Sequence, residues 1–393
     1  MTRTEKGDIV SSFIIPRTVF YGSGTIKELA NLKGSKASVV VGSGSIRKNR
    51  ALNRILGHLE KAGFVTQVIE VAGTDPTTTM VAEGTRQMEK FSPDLIVAAG
   101  GGSPIDAAKA MWLFYEYPSH TFQEAVVPFT LPPLRQKARF VAIPTTSGTA
   151  TEVTSFSVIT DAETLVKYPI ADYNLTPDIA IVDCDLVVSM PPELTAHTGM
   201  DAFTHAIEAY VSTMATDLTD ALAMKAIEMI NSYLPGSYTG SKKAREKMHL
   251  AQCMAGMAFS NAILGIVHSM SHKSGKLLDI PHGCANAIFL PHVIAFNAEK
   301  APGKYADIAR RIGLPGTNEK NLVKSLVLRI NELNRRLGIP LTLMEYGINE
   351  DFFNRNLDEM AAGAVGDPCT GTNPRPVSTD EMRELFRLAF YGS

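Results

Sequence analysis

DLIVAAGGGSPIDAAKAM, residues 94–111, runs from a β-branched apolar stretch through three glycines into an alanine-rich one. The pattern predicts a buried strand ending near Gly100 and a helix opening just after it. Ser103 fits the N-cap, Pro104 fits N1, and Asp106 fits N3, where its carboxylate can reach back to the cap. Gly100, Gly101 and Gly102, followed by Ser103, leave bare backbone N–H groups at a positive helix end, a seat for a pyrophosphate. Reading outward, further strand-like runs stand at SVVVG (38–42), TQVIEVAG (66–73), RFVAIP (139–144) and IAIVD (179–183). Helix-like stretches such as NRALNRILGHLEKAG (49–63) and TTTMVAEGTRQMEKF (77–91) separate several of them. Alternation of this kind predicts a Rossmann-like α/β domain, a parallel sheet with helices on both faces.

Two more loops follow predicted strands. VGSGSIRKN (41–49) brings Gly42, Ser43 and Gly44, and PTTSGTATEVT (144–154) brings hydroxyls. Glycine also serves plain tight turns, and the spacing is not GxGxxG. Three such loops at the C-terminal ends of parallel strands nevertheless mark the edge where open α/β sheets bind ligands.

The pattern changes near MPPELTAHTGMD (190–201). Beyond it DAFTHAIEAYV, DLTDALAMKAIEMINSYL and KMHLAQCMAGMAFSNAIL carry helical periodicity. A chain of 393 residues suits two cores. The expected division is 1–190, an α/β nucleotide-binding domain, and 191–393, an all-helical domain.

With 45% hydrophobic and 20% charged residues and a net charge of −2, the composition is that of a globular protein without a basic face for nucleic acid. The N-terminus MTRTEKGDIVSSF has no apolar signal-like core, and no apolar run is long enough to span a bilayer. Cys184, Cys253, Cys284 and Cys369 are scattered and read as buried thiols of a reducing, cytoplasmic setting.

Three of nine histidines crowd into HSMSHKSGKLLDIPHG (268–283). His268 and His272 share an i,i+4 spacing, as do Asp201 and His205 in TGMDAFTHAIEAY, so each pair falls on one helix face. With His282 they offer five candidates for about four positions around Zn²⁺ or Fe²⁺, leaving one coordination place for a substrate oxygen. Chemistry alone does not choose among the five. The isolated His58, His120, His197, His249 and His292 read as core or cap residues.

GGGSPIDAAK, IPTTSGTATEVT, GMDAFTHAIEAY and VHSMSHKSGKLLDIPHGCANAIFLPHV together resemble the signatures of the iron-containing (group III) alcohol dehydrogenases, and the likeness runs from PRTVFYGSG (16–24) to DPCTGTNPRP (367–376). The resemblance implies a metal held by Asp201, His205, His268 and His282, with metal and nicotinamide in a cleft between two domains. It implies that His272 stands beside the substrate as a proton relay or substrate contact. It matches Gly100, Gly101, Gly102 and Ser103 to a pyrophosphate loop, Thr145, Thr146 and Thr149 to residues around the coenzyme, and Lys167 to a lysine on the nicotinamide-side ribose. Phe156, Phe259 and Cys369 fall where family members line the substrate pocket. The implied activity is NAD(P)H-linked interconversion of a primary alcohol and its aldehyde, chiefly as aldehyde reductase, in a homodimer whose contact uses FIIPRTVF (13–20). A lyase of the dehydroquinate-synthase kind and a glycerol or polyol dehydrogenase are the alternatives.

One departure bears on the coenzyme. Many NAD-dependent relatives carry an acid after the first strand; here Gly42, Ser43 and Gly44 stand instead, with Arg47, Lys48 and Arg50 close behind. The exclusion of a 2′-phosphate is therefore lifted, and NAD and NADP both stay open. GTATEVT stands where GTGSEVT is commoner, an exchange expected to be tolerated.

Overall fold

The computed structural model describes residues 2–3, 9–10, 12–42, 44, 46, 50–73 and 75–392. Two compact units emerge: one of residues 1–145 and 151–183, the other of residues 146–150 and 184–393.

The first unit holds a six-stranded sheet built from β3 (Thr18–Tyr21), β4 (Lys36–Gly42), β5 (Val65–Val71), β6 (Leu95–Gly100), β7 (Arg139–Pro144) and β10 (Ile179–Val182). Its order is β3-β10-β7-β6-β4-β5 and every pairing is parallel. Every residue of β6 is buried, and β4 is buried from Ala37 to Val41. Such strands read as unbroken apolar runs because helices cover both faces. The crossovers are α1 (Ala51–Lys61), α2 (Thr78–Phe91) and α3 (Gly102–Glu116). The FIIPRTVF segment contributes β3, the edge strand beside β10. Two small antiparallel pairs were not foreseen: β1 (Thr2–Arg3) with β2 (Ile9–Val10), and β8 (Phe156–Thr160) with β9 (Lys167–Ala171). A short helix, α4 (Phe122–Ala125), follows α3 and is closed by a capping box between Thr121 and Glu124.

The start of α3 differs from expectation. Its N-cap is Gly101, not Ser103, and no side chain caps it. Pro104 therefore sits at N3, still among the first four residues whose N–H has no helical partner, so the ring costs no hydrogen bond. Asp106 lies a turn too deep to reach the cap. It turns sideways instead, accepting the Thr151 hydroxyl at 2.6 Å and the Val158 N–H at 3.2 Å.

The second unit is helical. Pro191 and Pro192 open α5 (Pro192–Val211), with Pro192 at the first turn, where proline is tolerated. There follow α6 (Asp217–Tyr238), α7 (Lys242–Ala262), α8 (Ile266–Ser274), α9 (His282–Asn297), α10 (Pro302–Arg311), α11 (Glu319–Arg336), α12 (Leu343–Tyr346), α13 (Glu350–Val365) and α14 (Thr379–Tyr391). Met200, Phe203 and Ile207 of α5, Ile288 and Phe289 of α9, and Phe386 and Phe390 of α14 share one core. A helix buried on most of its circumference carries polar groups inward most cheaply where they are satisfied, as α5 does at Asp201, bound by the Asn286 amide, and at Glu208, bound to His268 and the Val267 N–H. No single helix among the described residues is long and apolar enough to cross a membrane. Cys184, Cys253 and Cys284 are buried, but Cys369 is only half-buried, at odds with the expectation for all four.

Candidate metal centre and glycine loops

Three helices of the second unit bring the histidine cluster together. Asp201, His205 and Glu208 lie on one face of α5, His268 on α8, and His282 opens α9. The close seat of α9 against α5 depends on Gly283. A Cβ there would stand 2.1 Å from the His197 carbonyl oxygen. Asp201 Oδ1 is the hub: Nε2 of His205, His268 and His282 lie 3.9, 3.7 and 3.6 Å from it. Tetrahedral bonds of about 2.1 Å would put donor atoms about 3.4 Å apart, so this spacing needs only a small contraction around an ion. Phe259 stacks on His205, centroids 4.3 Å apart, and covers the ring with apolar surface.

The electrostatics suit a cation. Burial pushes His205 down to about 4 despite Asp201 beside it, so at neutral pH its imidazole is uncharged and free to ligate. The protein around His282 lowers it in the same direction. Burial opposes charge on Asp201, but His205, His268 and His282 outweigh it and hold the carboxyl below its ordinary range. Glu208 meets Nδ1 of His268 at 2.5 Å, which fixes the tautomer and turns Nε2 towards Asp201, the carboxylate–histidine arrangement usual behind metal ligands. For His268, burial is overcome by Glu208 and Asp201, which raise it to about 9. Asn286 Nδ2, 3.2 Å from Nε2 and able only to donate, pulls the same ring towards the neutral form. The donor set therefore fits a Zn²⁺ or Fe²⁺ ion in chemistry and in spacing.

His272 stands apart from the hub. Its ring lies parallel to His282 with centroids 5.6 Å apart, but Nδ1 turns to Asp367 Oδ2 at 3.1 Å. Its side chain is 37% exposed, against 5% for Asp367. Asp367 also meets Lys273 Nζ at 3.4 Å and accepts the Cys369 N–H at 3.0 Å. Burial disfavours charge on Asp367, but His272 outweighs it and keeps the carboxyl ionised. Burial, then the Asp367 and Glu208 charges, push the Cys369 thiol well up, so it stays protonated. Phe259 and Cys369 are thus both drawn to the histidine cluster.

The glycine loops belong to the first unit. From β4 the chain passes first to β5 on one side and then to β6 on the other, so the direction of winding switches between β4 and β6. Gly42 and Gly100 end these two neighbouring strands. Pro104 accounts for both: a Cβ on Gly100 would lie 2.4 Å from its Cγ, and one on Gly42 would lie 3.3 Å away. Gly44 has open space around it. The uncapped first turn of α3 begins at this switch point, the place where doubly wound sheets hold a pyrophosphate. Thr145 is buried, its N–H bound to the Gly100 carbonyl at 2.7 Å. Thr146 and Thr149 are partly exposed in the segment 146–150. Lys167 pairs with Asp75 at 2.7 Å. Phe156 lies in β8, and its carbonyl accepts the fully buried Lys109 ammonium at 2.9 Å. Ser43, Arg47 and Lys48 lie outside the described residues.

Residues 16–184 match the family described as iron-containing alcohol dehydrogenase, and residues 195–390 match its C-terminal part. The chain belongs to the iron-containing alcohol dehydrogenase family. It is 55% identical over 381 residues to an NADPH-dependent butanol dehydrogenase of Clostridium saccharobutylicum, covering 97% of this chain and 98% of that one. It is 40% identical to the bifunctional aldehyde-alcohol dehydrogenase AdhE of Escherichia coli strain K12, over 96% of this chain but only 46% of that longer protein. Among solved structures, a 1,3-propanediol oxidoreductase superposes with a TM-score of 0.91 at 37% identity, over 97% of this chain and 100% of the other. A sulfoacetaldehyde reductase from Bifidobacterium kashiwanohense in complex with NAD⁺ superposes with a TM-score of 0.86 at 26% identity, over 98% and 100%. Like its relatives, this family member is an oxidoreductase.

Three polar residues of the cluster were not singled out by the sequence reading. Glu208 is seven residues after Asp201, on the same helical face, and that spacing was a usable signal. Asn286, four after His282, was equally visible. Asp367 was not: it meets His272 across 95 residues of sequence.

Proposed function

We propose that Asp201, His205, His268 and His282 hold a divalent metal, Fe²⁺ or Zn²⁺, and that the chain reduces short aldehydes to primary alcohols with NADPH. The convergence of three imidazole nitrogens on Asp201 Oδ1, within 3.6–3.9 Å, carries this reading. When bound, the metal supplies polarisation of the substrate oxygen and the nicotinamide supplies the hydride. The chain's residues do the rest. Glu208 keeps His268 in the ligating tautomer. Phe259 keeps one side of the site apolar. Asp367 accepts the Nδ1–H of His272 in a hydrogen bond, so Nε2 is the nitrogen that can take a proton from solvent and pass it to the substrate oxygen. The balance is aldehyde, NADPH and one proton to alcohol and NADP⁺. Alcohol oxidation runs the same steps backwards.

Coenzyme placement follows from the switch point. Residues 1–190 serve the coenzyme, with Gly100, Gly101, Gly102 and Ser103 on the pyrophosphate and Thr145, Thr146 and Thr149 around it. Asp106 stiffens that loop through Thr151 and Val158. Residues 191–393 serve the metal. The acid-free sequence Gly42, Ser43, Gly44 favours NADPH, as does the coenzyme named for the Clostridium relative. The substrate class draws on the same relative, with Phe259 and Cys369 lining the aldehyde's path, while Lys167 serves the nicotinamide-side ribose of the coenzyme. The working form is a cytoplasmic homodimer.

Chelator-stripped protein, assayed anaerobically with butanal and NADPH or NADH, tests the reading. Added Fe²⁺ or Zn²⁺ should restore coenzyme oxidation, faster with NADPH. Restored metal without net oxidation across a panel of aldehydes would refute it and favour lyase chemistry.

A further inference from the structure

Asn286 lies at the centre of the donor set. It is fully buried, and it follows His282 by one turn of α9, so both side chains leave the helix on one side. Its Nδ2 lies 2.8 Å from Asp201 Oδ1, 3.2 Å from Nε2 of His268 and 3.2 Å from Nε2 of His282. Its Oδ1 accepts the hydroxyl of buried Ser271, one turn after His268 on α8. The two ends of the amide are not interchangeable. A carboxylate can only accept, so the end facing Asp201 must be the NH₂ group.

The amide thus points two N–H bonds at three of the four atoms assigned above to the metal. One N–H serves Asp201, and the other lies between the two imidazoles. Without a cation, a buried carboxylate oxygen and imidazole lone pairs aimed at one another are left unsatisfied, and buried acceptors left so are costly. In the metal-free protein the amide supplies the missing positive ends, and an entering ion replaces these N–H contacts on the same lone pairs. Ser271 fixes its rotamer, and through it α8 and α9 are locked in one register.

We propose that Asn286 is a positioning residue for the metal, holding Asp201, His268 and His282 converged as acceptors so that the ion enters a site already assembled. The proposal rests on the ligand assignment given under the proposed function. Removing a group that orients metal ligands typically weakens binding by about 10–100-fold.

The test uses full-length metal-stripped protein titrated with Co²⁺ against a fluorescent chelator, with the visible d–d spectrum recorded. Wild type should bind one ion. Asn286→Leu, which keeps the volume but removes the amide, should bind about 10–100-fold more weakly with altered d–d bands. Ser271→Ala, which frees the amide without removing it, should move affinity and bands the same way by less. Should Asn286→Leu fail to fold, Ser271→Ala decides: wild-type affinity and spectrum there would overturn the proposal. His282→Ala separates the two readings. If it loses the ion while Asn286→Leu keeps wild-type affinity and spectrum, Asn286 has no positioning role and the ligand set stands. If His282→Ala binds Co²⁺ as wild type does, the ligand set fails, and this proposal falls with it.

Discussion

At the scale of single residues, the histidines divide by what each ring nitrogen touches. His268 gives Nδ1 to Glu208 and presents Nε2 to Asp201, whereas His272 gives Nδ1 to Asp367 and is partly open to solvent. His268→Ala should therefore abolish metal binding and activity together, while His272→Ala should keep about one metal per chain and lose about 100-fold or more in kcat. Metal analysis beside the kinetics checks this, and an empty site in His272→Ala would reverse the assignment. Asp367→Asn should lower kcat about 10–100-fold with metal content and KM little changed, since the amide can point its NH₂ at His272 and favour the wrong tautomer. An unchanged kcat would reduce Asp367 to a cap for the turn at Pro368–Thr372. The i,i+4 spacing in the sequence pointed to Asp201, His205, His268 and His272 as paired residues, because helical periodicity is local. It could not pair His272 with Asp367, which only the folded chain brings together.

At the scale of elements, the strand–helix alternation was legible because fully buried parallel strands are apolar throughout. The cap of α3 was misplaced because Ser103 and Pro104 mimic an N-cap and N1, while Pro104 in fact fills the space over Gly42 and Gly100. Gly100→Ala should then cost about 1–3 kcal/mol, through the clash with the Pro104 ring. Pro104→Ala should restore part of that loss when combined with it, and denaturant unfolding of the two variants decides. Full additivity would mean the strain lies in the backbone of Gly100, whose φ is +157°. The β8–β9 hairpin escaped notice because its strands are short and lack a tight-turn signature. His249 of α7 binds Ser147 Oγ at 3.0 Å, tying down the segment 146–150. Burial lowers His249 to about 3 from 6.5. Below pH 6.5 the unfolded chain takes up a proton here that the folded chain refuses, so stability falls as pH falls towards 3. At pH 5 the loss from this residue is about 2 kcal/mol relative to pH 7.5. His249→Gln, which cannot titrate, should lose correspondingly less between those two pH values in urea unfolding. Equal losses would mean that His249 is protonated in the folded state.

At the scale of the whole molecule, the proposed ligands come from α5, α8 and α9, elements separated in sequence but joined in one core. An ion that binds only the folded arrangement must stabilise it by mass action, by about 2.7 kcal/mol when free metal stands at 100 times Kd. The melting temperature should therefore climb with the logarithm of metal concentration and fall on chelation. The effect should also have an address. Amide hydrogen exchange should quicken on metal removal in Asp201–Glu208, His268–His272 and His282–Asn286, where an open site lets three helix segments part. It should stay constant in the strands from Lys36 to Pro144, which hold no proposed ligand. Asn286→Leu should show the quickened pattern before any metal is removed, because the amide that bridges α9 to α5 and α8 is gone. Uniform quickening across both units would mean that the metal acts on global stability alone; no change in the three segments would mean that the ion binds elsewhere.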